Sequence, residues 1–241
     1  MRHPGAIFRQ PGLVWFYADS DPRGTYDSIR DHVPLAKSRE ISAVCSNKRQ
    51  KHTLHRRRYE FVMAMKSRIA EMELFGRGIR FVEDKADALD PFKYHVAIEN
   101  FYGLHHWTEK LADPFLGACM PVYYGCPNAE EYFPEESFLR IDIADLNSAV
   151  ETVKRAMMDR LYEKNLSAIL ESRRRVLEEY APVAQIAEIV RKRHVTGVTA
   201  DVGQRIESRH LFRKRNLFNG VSFALERGRI ALTHKMRGTN S

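Results

Sequence analysis

The chain has 241 residues, 44% of them hydrophobic and 29% charged, with a formal net charge of +8. That length suits a globular protein with a real buried core, and the absence of any run of about 18 apolar residues excludes a membrane-spanning helix. The charge is uneven: residues 191–241 carry 12 Lys/Arg against 3 Asp/Glu, a net of +9, so the first 190 residues are close to neutral.

Residues 1–38 are rich in turn formers and hold four of the ten prolines, which indicates an irregular segment with at most one strand at VWFYA, 14–18. EISAVCSN at 40–47 reads as a short strand that ends in a polar turn. The stretch from Leu54 follows helical spacing (Tyr59, Val62, Ile69, Met72) and is expected to stop at Gly76. A strand–turn region then covers ELFGRG and IRFVED, and KYHVAI at 93–98 is a strand. The segment ENFYGLHHWTEK, 99–110, crowds acids, an amide, two histidines, a tryptophan and a lysine into one loop. Thr108 can cap a helix through TEKLADPFLGA, and MPVYYG at 120–125 is the next strand. FPEESFLRIDIAD contains another short strand. Ser148 and Glu151 have capping-box spacing before one long helical stretch that ends near Pro182. VAQIAEIVRKRH at 183–194 is a further amphipathic stretch, leading into the basic tail.

Strand, helix, strand, polar loop, helix, strand is the order of an α/β fold with a parallel sheet. Ligands of such sheets sit beyond the carboxyl ends of the strands, where both Ser46-Asn47 and Glu99-Asn100 fall. The helix opening near Thr108 presents N–H groups and a positive dipole end, and Lys110 adds a full charge. The run His55-Arg56-Arg57-Arg58 offers guanidinium forks for phosphate oxygens. Together they suit a diphosphate site with no Gly-rich loop. No metal is expected: the one DxD triplet, Asp19-Ser20-Asp21, lies in the irregular leader, and adjacent histidines such as His105 and His106 seldom share a ligand. Trp107 is expected in a core or wall. The three cysteines, Cys45, Cys119 and Cys126, lack CxxC spacing and suggest free thiols in a reducing compartment.

Several strings taken in order go further. EISAVCSNK…HRRRYEFV, FKYHVAIEN, WTEKLADPFLGACMPVYYGCP and EEYFPEESFLRIDI together resemble the nucleotide-binding half of the α-1,3/1,4-fucosyltransferases, glycosyltransferase family 10, over roughly residues 39–145. The resemblance implies a Rossmann-like domain of GT-B type over residues 39–165, after an N-terminal remnant (1–38) of an acceptor domain and before a helical region and basic tail (166–241). It implies an inverting enzyme that transfers L-fucose from GDP-fucose to a glycan hydroxyl, without a cofactor or metal. Carried over by position, Lys110 and Arg56 match diphosphate contacts, with Arg57 or Arg58 reached by a register slip. Glu109 and Asn100 match residues lining the donor, and Ser46 and Asn47 match the strand-end turn beside the nucleotide. His106 stands where the family usually has Tyr.

The family's general base is a glutamate in the N-terminal domain, and no motif before residue 39 matches it; Asp19, Asp21, Asp27 and Asp31 are the acids present there. A GDP-sugar-binding domain without transferase activity is therefore the alternative. A nucleic-acid-binding protein built on HRRR and the tail is disfavoured by the near-neutral body. The tail, with Leu/Phe mixed among Arg/Lys at 209–218, suits an anionic lipid surface. The expected setting is cytoplasmic, peripheral on the inner membrane face near glycan acceptors.

Overall fold

The structure, a computed structural model, describes residues 14–19, 24–45, 54–193 and scattered positions from 211 to 229. Its contacts divide the chain into two units, Met1–Lys192 and Arg193–Ser241. In the second, the described apolar side chains Leu211, Phe218, Val221 and Leu225 are exposed. Among the described residues no helix is long and apolar enough to cross a membrane.

The first unit is an α/β domain. In chain order it contains α1 (Tyr26–Asp31), β1 (Arg39–Val44), α2 (His55–Lys66), β2 (Met72–Phe75) and β3 (Phe92–Ile98). There follow α3 (Glu109–Leu116), β4 (Met120–Tyr124), β5 (Leu139–Arg140), α4 (Leu146–Met158), α5 (Leu161–Lys164), α6 (Leu166–Glu178) and α7 (Pro182–Arg193). The five strands form one sheet in the order β2-β1-β3-β4-β5, and every pairing is parallel. Central strand β3 is buried along nearly its whole length, as expected when helices cover both faces of a parallel sheet. From one pleat face the Tyr94 hydroxyl donates to the Ala156 carbonyl of α4 at 2.9 Å. On the other face, His95 meets Ser42 of β1, its register partner.

The order of strands places the ligand crevice. Chain leaving β1 crosses to β2 on one side, whereas chain leaving β3 crosses to β4 on the other. The connections to β2 and β4 therefore lead to opposite sides, and a cleft opens beyond the ends of β1 and β3.

Three expectations need correction. The helix beginning near Leu54 ends at Lys66, not Gly76, and MELF is a strand. Parallel pairing of Ile41–Val44 with Met72–Phe75 satisfies the backbone there, and Ile69 and Met72 are buried by tertiary packing that happens to keep helical spacing. Ser148 is not an N-cap. Asp145 takes that place, its carboxylate accepting the Ser148 N–H at 3.0 Å. The long helical stretch breaks at Arg160, whose φ of 53° is left-handed, and continues as α5 and α6. There the Tyr162 N–H donates to the Tyr94 hydroxyl, a tertiary bond available only if the helix turns. Residues 14–18 form no strand, although Tyr17 and Ala18 are buried.

Arg173 of α6 joins α1 and its C-cap to the end of α3. It is 5% exposed and donates to the carbonyls of Leu116, Ile29 and His32. Arg173→Met leaves the buried Leu116 and Ile29 carbonyls and the partly buried His32 carbonyl short of donors, and a loss of about 2–4 kcal/mol is expected in urea unfolding. A change within experimental error would mean that these carbonyls find other donors.

Candidate functional site

A crevice of about 200 Å³ lies at the switch between β1 and β3. It is smaller than the ~300–1,000 Å³ of a pocket for a whole small molecule, so it encloses part of a ligand. Val44, Cys45 and residues 96–98 line the strand ends, Arg58 and Val62 belong to α2, and Glu109 and Lys110 open α3; Lys85 and His95 complete the lining. The cations Arg58, Lys85 and Lys110 thus face a single lining carboxylate, Glu109, which favours an anion.

The start of α3 is built around Glu99, the residue after β3. Its side chain is fully buried and accepts the Thr108 N–H and the Thr108 hydroxyl, each at 2.7 Å. Thr108 in turn caps the helix, accepting the Lys110 N–H at 3.3 Å. Burial pushes the Glu99 carboxyl up to about 7, against the pull of the Lys110 ammonium 4.0 Å away and of the Thr108 bonds. The Lys110 ammonium lies 2.6 Å from the Glu109 carboxylate. Burial raises the Glu109 pKa, but the Lys110 charge and hydrogen bond, with Lys85 and Thr108, outweigh it and hold that carboxyl below its usual range.

On the opposite wall, Arg58 donates from Nη1 to Asn100 Oδ1 at 3.0 Å, while its buried Nε has no hydrogen-bond partner. Asn100 thus reaches the site through Arg58. Arg56 points elsewhere: it is exposed and paired with Glu60 at 2.7 Å, one turn along the outer face of α2. Two helical positions differ by about 200°, so Arg56 and Arg58 cannot share a wall. His106 sits beside the site with its edge against Phe101. Burial and then the Lys110 charge lower its pKa and favour a neutral ring. Ser46 and Asn47 lie outside the described residues. Of the leader acids, Asp27 and Asp31 pair with Arg30 on the surface of α1.

Other loop residues serve the fold. His105, at φ 59°, donates its N–H to Asn128 Oδ1, and its ring bonds the Tyr132 hydroxyl. Trp107 is 1% exposed and packs edge-on against Tyr132, Phe133 and Tyr180, contacts worth about 0.5–1.5 kcal/mol each beyond area burial. Among the described residues no cluster of three metal-ligating side chains occurs, and the three cysteines are buried thiols outside any disulfide.

Sequence reasoning missed Lys85 and His95 and ranked Arg58 behind Arg56. Arg58 was findable, because Val62 and Met65 are the buried stripe of α2 and the position one turn before Val62 is Arg58. Lys85 lies on a short 3-10 turn, Lys85–Ala88, which carries no periodic signal. His95 has a legible tautomer. The Ser42 hydroxyl spends its one proton on the Ala88 carbonyl at 2.6 Å, so His95 Nδ1–H donates to Ser42 and Nε2 keeps its lone pair. Burial keeps this histidine neutral, its pKa far below 6.5.

The family model described as glycosyltransferase family 10 (fucosyltransferase) C-term matches residues 34–164, more than half of the chain. The chain belongs to glycosyltransferase family 10. A curated relative, the alpha-(1,3)-fucosyltransferase FucT of Helicobacter pylori, is 30% identical over 95 residues, 36% of this chain and 20% of that enzyme. Among solved structures, an alpha1,3-fucosyltransferase with GDP-fucose aligns at a TM-score of 0.45 and 22% identity, covering 64% of this chain and 52% of that one. The same type of enzyme with GDP aligns at 0.45 and 21% identity, over 69% and 55%. The chain therefore spans about half the length of those solved family members.

Glu99 gives the site a pH signature. Its carboxyl titrates near 7 in the fold and near 4.5 in an exposed chain, so the unfolded state releases its proton first as pH rises. Native stability should fall between about pH 4.5 and 7, by up to about 3 kcal/mol, and level off above. Glu99→Gln removes that titration. Urea midpoints measured at pH 5 and pH 7.5 should drop further for the wild type than for the variant, and equal drops would refute the assignment.

Proposed function

We propose that this family 10 chain binds GDP-fucose in the crevice and donates L-fucose to a glycan hydroxyl with inversion. The observation that carries this reading is the cationic crevice at the switch point, with Lys110 in the first turn of α3 and Arg58 opposite the strand ends on α2. The relatives' names supply the nucleotide sugar. As the glycosyl bond breaks, GDP departs with added negative charge on its terminal phosphate. Lys110 and Arg58 stabilise that charge, most of all in the transition state. Glu109 keeps Lys110 in position and lines the donor with Asn100 and His106; Ser46 and Asn47 are assigned to the nucleotide by position alone. No metal or cofactor takes part in this scheme.

An inverting transfer also requires a base for the acceptor hydroxyl. Glu109 does not suit that task, because Lys110 holds its carboxyl low and makes it a weak base. This favours a base from outside the crevice, and it keeps open a second reading in which the domain binds GDP-sugar without turning it over. Release of GDP from GDP-fucose in the presence of glycan acceptors separates the two readings.

Titration calorimetry without metal tests the donor site. Lys110→Ala and Arg58→Ala should each weaken GDP by about tenfold or more, as expected for lost charge-assisted phosphate contacts, whereas Arg56→Ala should stay within about twofold. Equal losses for Arg56→Ala and Arg58→Ala would overturn the placement of the diphosphate.

The basic tail gives the setting. We infer that residues 209–241 hold the protein on an anionic membrane surface at the cytoplasmic side, near lipid-linked glycans that serve as acceptors in bacterial surface polysaccharide synthesis. Eight of the ten residues of RHLFRKRNLF are Leu, Phe, Arg or Lys, the mixture that partitions to such a surface. Deletion of 209–241 should abolish sedimentation with phosphatidylglycerol vesicles at low salt while leaving GDP affinity unchanged. Undiminished vesicle binding would sink the assignment.

A further inference from the structure

The proposed donor site leaves one of its cations without a task. Lys85 lines the crevice together with Glu109 and Lys110, yet it lies on the turn before β3, far in sequence from both helices. Its side chain is 17% exposed, and its ammonium sits 2.6 Å from the Asp113 carboxylate, itself fully buried on α3. The other Asp113 oxygen accepts the Phe16 N–H at 3.1 Å. The carboxylate is thus held from two sides, and the ammonium is held with it.

An ammonium has three N–H donors. One goes to Asp113, and the Lys85 ammonium makes no other hydrogen bond among the described residues. The charge also acts on the site: it helps hold Glu109 ionised and, after burial, helps keep His95 neutral. A purely structural account is weak, because a well-packed apolar pair joins two elements as well as a buried ion pair or better, and it would not need to border a crevice.

We propose that Lys85 is a further phosphate-binding residue of the donor site, a second ammonium that contacts the diphosphate alongside Lys110 and Arg58 while Asp113 holds it in position. The assignment rests on the donor reading above and adds a ligand to it. Asp113 is a positioning residue: it touches no ligand and acts through Lys85.

The test uses the full chain, with GDP and inorganic pyrophosphate as probes and near-UV circular dichroism to confirm the fold. Lys85→Met should weaken both probes about tenfold or more and flatten the dependence of GDP binding on salt concentration, since one phosphate contact is lost. Lys85→Arg, which keeps the charge, should recover most of the affinity. Because Lys85→Met strands the Asp113 carboxylate, the neutral pair K85M/D113N serves if the single variant fails to fold; its amide can still accept the Phe16 N–H. A folded variant that binds pyrophosphate as tightly as wild type, with the same salt dependence, overturns the proposal. GDP binding that needs Lys110 and Arg58 but not Lys85 overturns this assignment alone. Pyrophosphate binding that needs Lys85, with no preference for GDP, supports it and retires the nucleotide instead. Binding of neither probe by the wild type retires both.

Discussion

Everything at the crevice depends on one buried carboxylate. Glu99 closes β3 and reaches across the loop to take both donors of Thr108, so the end of a central strand and the start of α3 become one rigid corner. That bond fixes where the loop 100–107 returns to the sheet and where α3 starts, and with them the backbone that carries Lys110. A buried carboxylate costs several kcal/mol unless it is well bonded. Two short bonds and a nearby ammonium offset most of that, and the residue is left titrating near 7. The corner is also sterically closed. A Cβ on Gly125 would lie 2.3 Å from Glu99 Cγ and 2.6 Å from the Tyr123 hydroxyl, so glycine after β4 is what lets the carboxylate fit.

The dense polar loop therefore has two kinds of residue in it. Glu99, His105 and Trp107 fold it: one anchors its end, one bonds Asn128 and Tyr132, and one fills an aromatic cluster. Asn100, Glu109 and Lys110 serve the crevice, directly or through Arg58. Residue type alone cannot sort these roles, because the structural members are as polar as the ligand-facing ones. What each side chain touches sorts them, and those contacts follow from tertiary packing.

The same limit explains what could be read from the chain beforehand. Strands β1, β3 and β4 were legible because buried parallel strands are short apolar runs between turn signals, and Thr108 was legible because a helix start has local chemistry. The region 67–75 was not, since residues Ile69 and Met72 sit at helical spacing yet are buried from a turn and a strand. Asp145 was passed over for Ser148 although both can cap; the choice lies in where the backbone first turns helical, after β5. At the site, Lys110 was placed from the helix start alone. Choosing Arg58 over Arg56 required knowing which face of α2 meets the sheet, and Lys85 required the path of the chain between β2 and β3, which no local pattern encodes.

The crevice cations share a further property. Each already has a protein acceptor: Lys110 has Glu109, Arg58 has Asn100, and Lys85 has Asp113. On the proposed donor reading, an incoming diphosphate competes with or shares those acceptors, so its ground-state binding is weaker than bare cations would give. What is gained is orientation, since the side chains are held in place before the ligand arrives and little order has to be imposed on binding. The competition is least costly when the ligand's charge is greatest. On the donor reading proposed above, that moment is the breaking of the glycosyl bond, when the nucleoside diphosphate departs, and cations already held in place favour that state over the intact donor.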